Sequence, residues 1–141
     1  MSNPSVPLNR PMSANPAVAT IPPMGFGDAI ATCFSKYVGF SGRARRAEYW
    51  YWTLFTVVLQ MGAALALPSL LGATAGLNTY ALISLALVLP GLSVLVRRLH
   101  DTDRSGWWFL LPITVIGAFV LLYWLCQEGT KGTNRFGPRT T

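Results

Sequence analysis

Apolar positions along this chain fall into two patterns. From Phe26 they return at Ile30, Cys33, Phe34 and Tyr37, the i, i+4, i+7, i+8, i+11 spacing of one helical face, with Asp28, Thr32, Ser35 and Lys36 mostly off it. This predicts an amphipathic helix over 26–38. It is too short to cross a bilayer and suited to lie at its interface; the alternative is a helix packed on the rest of the protein. After Gly39–Gly42 breaks the chain, periodicity gives way to two stretches with no formal charge: 49–96, of 48 residues, and 105–127, of 23.

A hydrocarbon core of about 30 Å takes roughly 20 helical residues. The shorter stretch fits one crossing. The longer would reach about 72 Å as one helix, so it must turn back. Two glycines and an asparagine within 72–78 mark the turn. The expected architecture is all-α: three transmembrane helices near 49–71, 79–96 and 107–126, preceded by the interfacial helix, in a membrane domain over 25–138. Aromatic residues sit where lipid meets water: Tyr49-Trp50-Tyr51-Trp52 opens the first helix, Trp107-Trp108 opens the third and Tyr123-Trp124 closes it. Pro68, Pro90 and Pro112 would break soluble helices, but membrane helices tolerate them when neighbours satisfy the freed carbonyls. Gly62 and Ala66 allow close helix contact, and a helix–helix hydrogen bond accounts for Gln60.

Composition narrows the class. Of 141 residues, 52% are hydrophobic and 11% charged, against roughly 25% charged in soluble domains. A soluble bundle of buried helices is the alternative, and stretches this long without charge favour lipid over a globular core. Two cysteines exclude a disulfide framework. They are expected at opposite ends of the membrane, too far apart to bridge. Residues 1–24 hold six of the ten prolines and one charge, Arg10. They read as a flexible extension, without the apolar region and cleavage site of a signal peptide. Residues 139–141 are left as a C-terminal end.

The net charge of +6 is gathered into three blocks, at 1–48, 97–104 and 128–141. With the N-terminus in the cytoplasm, most Lys and Arg lie inside, so the positive-inside rule predicts N-in and, with three crossings, C-out. A third segment that dips in and returns would instead bring all three blocks to one side.

In the first block, Arg45 and Glu48 are spaced to pair on a helix, leaving Arg43 and Arg46 for phosphates. The plain alternative is an orientation signal beside a membrane helix. In the second, Arg97 or Arg98 can pair with Asp101, and Asp103 or Ser105 can cap the next helix, with Arg104 beside them. His100 with Asp101 and Asp103 suggests a metal only weakly, since the chain has no second histidine. An acid–base role for His100 lacks an accompanying nucleophile. In the third, glycines stop the last helix and Asn134, Arg135 and Phe136 form a short ordered return; a disordered tail is the alternative. Phosphate-binding loops, nucleophile elbows and zinc-protease motifs are missing from the sequence, and no ionisable residue is expected mid-membrane, which leaves a proton or ion relay through the core without an obvious carrier.

These blocks, F-x-G-R-A-R-R-x-E-Y-W at 40–50, R-R-L-H-D-x-x-R-S-G-W-W at 97–108 and G-T-x-G-x-N-R-F-G-P at 129–138, resemble the signatures of one family. It is the YhaH/YhaI-like group of small bacterial inner-membrane proteins, domain of unknown function (DUF) 805. The resemblance covers about 33–138 and implies a multi-pass bacterial inner-membrane protein with no established activity to carry over. The long N-terminal extension departs from the shortest members.

The expected function is non-enzymatic binding of anionic lipid headgroups or a membrane partner. Arg43, Arg45, Arg46, Arg97, Arg98 and Arg104 would hold phosphate or carboxylate, Glu48, Asp101 and Asp103 would orient them, and His100, Asn134 and Arg135 complete the candidate set. Membrane lipids are the expected partners, with a second copy or another membrane protein as further candidates. Neither nucleic acid nor a cofactor or metal is expected. The alternatives are a subunit of an oligomeric transporter or channel, and an interfacial enzyme using His100.

Overall fold

The computed structural model describes residues 22–138. The proline-rich extension read over 1–24 falls, but for its last three residues, outside the described residues, as does the 139–141 end. The described residues form four α-helices, α1 (Phe26–Ser35), α2 (Arg46–Leu71), α3 (Ala73–Asp101) and α4 (Val115–Cys126), with a 3-10 segment, Gly106–Ile113, between the last two.

Helices α2 and α3 form an antiparallel hairpin joined by Gly72 alone, which takes φ +82°. Glycine adopts that conformation without the Cβ penalty other residues meet. The turn expected over 72–78 is therefore one residue long, and Ala73–Asn78 belong to α3. Gly76 makes so tight a join possible: a Cβ there would lie 2.6 Å from the Leu67 carbonyl oxygen and 2.5 Å from the Pro68 nitrogen. At the other end α3 continues to Asp101, past the residue-96 limit expected from hydropathy. Ion pairs and backbone contacts hold its last turn, so the helix outlasts the apolar stretch.

The outer faces of this hairpin are apolar and uncovered. None of the most apolar window of α2 is buried, and Leu65 is 75% exposed. Exposed apolar surface on this scale marks a face that meets lipid or another protein. Both helices are long and apolar enough to cross a membrane.

The third helix expected over 107–126 is two pieces. Gly106–Ile113 winds as a 3-10 helix, Thr114 is extended, and α4 follows. Pro112 cannot donate to a helical ladder and pushes the residue before it away from α geometry, which favours a break here. Neither Asp103 nor Ser105 caps the segment; Thr114 caps α4, its hydroxyl accepting from the Gly117 N–H at 3.1 Å. The pieces fold back on each other. A Cβ on Gly117 would sit 2.0 Å from the Leu111 carbonyl oxygen, and the Trp108 and Trp124 rings meet edge to face at 5.6 Å. Trp107-Trp108 and Tyr123-Trp124 thus stand at one end of a helical hairpin, not at opposite boundaries.

Helix α1 packs on α2 and α3. Phe26 meets Tyr51 at 5.6 Å and Phe34 meets Trp52 at 5.2 Å, both edge to face, while Ala29 and Cys33 are fully buried. The helix ends at Ser35, short of the expected 38. The Ser93 hydroxyl lies between the Lys36 and Gly39 carbonyls, at 2.9 and 2.7 Å, and holds the turn that follows.

Candidate functional site

The described residues of all three charged blocks come together toward the C-terminal end of α3. The C-terminal block had been expected across the membrane from the other two; the return of the Gly106–Cys126 hairpin brings it back beside them. Cys33 and Cys126 accordingly stand at the same end, Cys33 beside Arg97 and Glu48, Cys126 near Arg98. Both are free thiols.

At the centre is the Asp101 carboxylate. Arg43 Nε lies 2.8 Å from its Oδ1, and Arg98 Nη1 pairs with its Oδ2. The remaining Arg43 N–H groups turn to the C-terminal block, donating to the Gly132 carbonyl at 2.6 Å and the Thr130 carbonyl at 2.6 Å. Arg98 reaches the end of α4, donating from Nε to the Leu125 carbonyl at 3.2 Å and from Nη2 to the Gln127 carbonyl. The Asp101 carbonyl accepts from the Thr130 N–H at 2.8 Å. Gly129 passes so close that a Cβ would fall 1.9 Å from Asp101 Oδ2.

Beside this knot, Arg97 Nη1 pairs with Glu48 and Nε faces the Ser93 hydroxyl at 3.5 Å, while Nη2 is buried with no hydrogen-bond partner among the described residues. The expected Arg45–Glu48 pair does not form. Arg45 occupies the extended cap position before α2, at ψ 158°, so helical i, i+3 geometry never applies to it. Its Nη1 donates instead to the Pro22 carbonyl at 3.2 Å. Arg43 is likewise not free, and Arg46 is exposed.

His100 stacks face to face on Phe136, centroids 3.8 Å apart, with Nδ1 3.2 Å from the Gly42 carbonyl. Asn134 donates to the His100 carbonyl at 2.8 Å, and its Oδ1 accepts from the Phe136 N–H at 2.9 Å. The third block thus forms an ordered return. Arg135 pairs with Asp103 at 3.3 Å on the exposed rim, and the Arg104 guanidinium lies 4.3 Å over the Trp124 ring. Among the described residues, no group of His, Cys, Asp and Glu is arranged to hold a metal.

The twelve candidate residues therefore divide. Arg43, Glu48, Arg97, Arg98 and Asp101 are buried and engaged with the chain itself. Arg45, Arg46, Asp103, Arg104 and Arg135 lie at the rim, and His100 and Asn134 lock the tail between. Burying ions costs several kcal/mol each, roughly repaid only when pairing and hydrogen bonds are nearly complete; the carbonyls of the C-terminal block complete them here. Ser93, Gly129 and Thr130 lie outside the twelve, although Gly129 and Thr130 open the third motif. Ser93 carried one signal, a hydroxyl one helical turn before Arg97.

An apolar helical hairpin, a returning segment and a buried arginine–carboxylate cluster at one end define a helical membrane protein. The family described as a protein of unknown function (DUF805) matches residues 37–138, which hold all three motifs, 40–50, 97–108 and 129–138. The chain belongs to that family. It is 49% identical over 110 residues to the inner membrane protein YhaI of Escherichia coli (strain K12), covering 72% of this chain and 86% of that one. It is 45% identical over 108 residues to the inner membrane protein YhaH of the same strain, covering 73% and 88%. The uncharacterised protein YiiR is 37% identical over 128 residues, covering 72% and 85%. No solved structure matches the chain.

Proposed function

We propose that the chain crosses the inner membrane twice, through α2 and α3, with the Gly106–Cys126 hairpin dipping in from one face and returning to it. All Lys and Arg of the described residues lie toward the end where the blocks meet, and none lies near the Gly72 connector. By the positive-inside rule this end faces the cytoplasm. Both ends of the membrane domain then lie inside, and α1 rests at the interface against α2 and α3.

On this reading the protein is non-enzymatic and holds anionic lipid headgroups at the cytoplasmic rim. The observation that carries it is the division of the arginines. Arg43, Arg97 and Arg98 are spent on internal pairs, whereas Arg45, Arg46, Arg104 and Arg135 ring the same end with guanidinium surface at headgroup level. Each basic residue near an anionic surface contributes about 1 kcal/mol. The test is anionic lipid retained by the purified protein, counted by native mass spectrometry. Arg45→Gln with Arg46→Gln should weaken retention roughly 30-fold; unchanged retention would end the lipid reading. A subunit of an oligomeric transporter or channel is the second reading, favoured by a polar crevice between α2 and α3.

A further inference from the structure

The seam between α2 and α3 is not fully packed. It leaves a crevice of about 200 Å3 that begins under the charged rim at Tyr49 and Leu95 and reaches Gln60 and Ser84. Each helix advances about 16 Å over that length, at ~1.5 Å per residue. The deep end therefore lies near the middle of both apolar helices.

Its lining is polar for that depth. Thr53 and Thr56 spend their hydroxyl protons on their own helix, donating to the Tyr49 carbonyl at 2.9 Å and the Trp52 carbonyl at 3.0 Å, which leaves oxygen lone pairs as acceptors. The Tyr80 hydroxyl meets Gln60 Oε1 at 3.5 Å, a long contact. Ser84 Oγ is buried and has no hydrogen-bond partner among the described residues. Lipid supplies no hydrogen bonds, so polar groups at this depth must find them in protein or water. The groove is open along one side, has room for several waters, and is lined by several polar groups that can hold them. Helix α3 and the returning hairpin flank the rim end, where Tyr49 and Leu95 also pack against Leu99, Leu121 and Leu125.

We infer that this crevice is a hydrated binding site for small, uncharged, hydroxyl-bearing solutes. Thr53, Thr56 and Gln60 offer acceptors, the Gln60 amide offers donors, and among the described residues that line the space none carries a formal charge to pair with an ion. The inference concerns the membrane interior and does not depend on headgroup binding at the rim.

Thiol chemistry tests it, because alkylthiosulfonates react with thiolates and so require water. Ser84→Cys and Leu85→Cys are compared in a Cys126→Ser chain reconstituted in lipid, using a small neutral methanethiosulfonate. Leu85 is 68% exposed on the protein surface, whereas Ser84 faces the crevice. Exposure alone would make Leu85→Cys the faster. The inference requires Ser84→Cys to react at least tenfold faster, and glycerol to slow it where equimolar sodium acetate does not. Equal or slower reaction of Ser84→Cys would mean a dry crevice and overturn the inference. Hydration without glycerol protection would overturn the solute site. Thr56→Cys, nearer the rim, is the second labelling position and must behave alike. Arg45→Gln with Arg46→Gln should leave these rates unchanged, which separates this result from the headgroup test.

Discussion

Arg43 and Asp101, 58 positions apart in sequence, meet through a buried 2.8 Å ion pair. The same carboxylate binds Arg98, and the same guanidinium binds two carbonyls of the C-terminal block. One carboxylate thereby ties the entry to α2, the end of α3 and the chain beyond α4.

Removing that carboxylate leaves two buried guanidinium groups without an anion. Asp101→Ala should destabilise the protein by ~3–5 kcal/mol, read as a lower unfolding midpoint in detergent. Replacing Arg43, Arg98 and Asp101 together by apolar residues should cost less than Asp101→Ala alone, since no buried charge is then stranded. A triple variant less stable than the single one would contradict this account of the cluster.

Gly129 offers a steric test of the same knot. Ala at 129 would place a methyl carbon 1.9 Å from Asp101 Oδ2, and neither the carboxylate nor the tail can yield without losing hydrogen bonds. Gly129→Ala should cost ~1–3 kcal/mol, the range for overpacking. It should also expose the C-terminal block to proteolysis. Gly27→Ala in α1 meets nothing within 4 Å and should change stability by under about 1 kcal/mol, toward greater stability. Equal effects of the two would remove the steric argument.

The two thiols should differ in pH response. Burial raises the Cys33 thiol to about 11, and the nearby Glu48 carboxylate pushes the same way. It is therefore neutral across the physiological range, while Cys126 is exposed. Iodoacetamide at pH 8 should modify Cys126 and spare Cys33, whose reaction should rise only as the pH approaches 11. Comparable labelling at pH 8 would show that Cys33 is not held in the packed environment described.

The helical hairpin was legible because an uncharged stretch of 48 residues cannot cross a bilayer once and stop. The end of α3 was not, because hydropathy marks where lipid ends and not where a helix does; Arg97, Arg98 and Asp101 continue α3 by pairing. The returning segment was visible only as an alternative. Its 23 uncharged residues fit one crossing, and the break depends on Pro112 with Thr114 and on the contact of Gly117 with Leu111. The three blocks were found, and Arg98 with Asp101 was among the expected pairs. The partners of Arg43 and Glu48 were hidden, because both lie across the fold and local spacing favoured Arg45 for Glu48.

The most direct test of the central claim is the location of the C-terminus. A cytoplasm-active and a periplasm-active reporter, fused in turn after Thr141, report it, with the same pair inserted after Gly72 as reference. Two crossings with a returning hairpin predict cytoplasmic activity after Thr141 and periplasmic activity after Gly72. Periplasmic activity at the C-terminus would mean three crossings, which would part the C-terminal block from Arg43 and Asp101 and contradict the cluster.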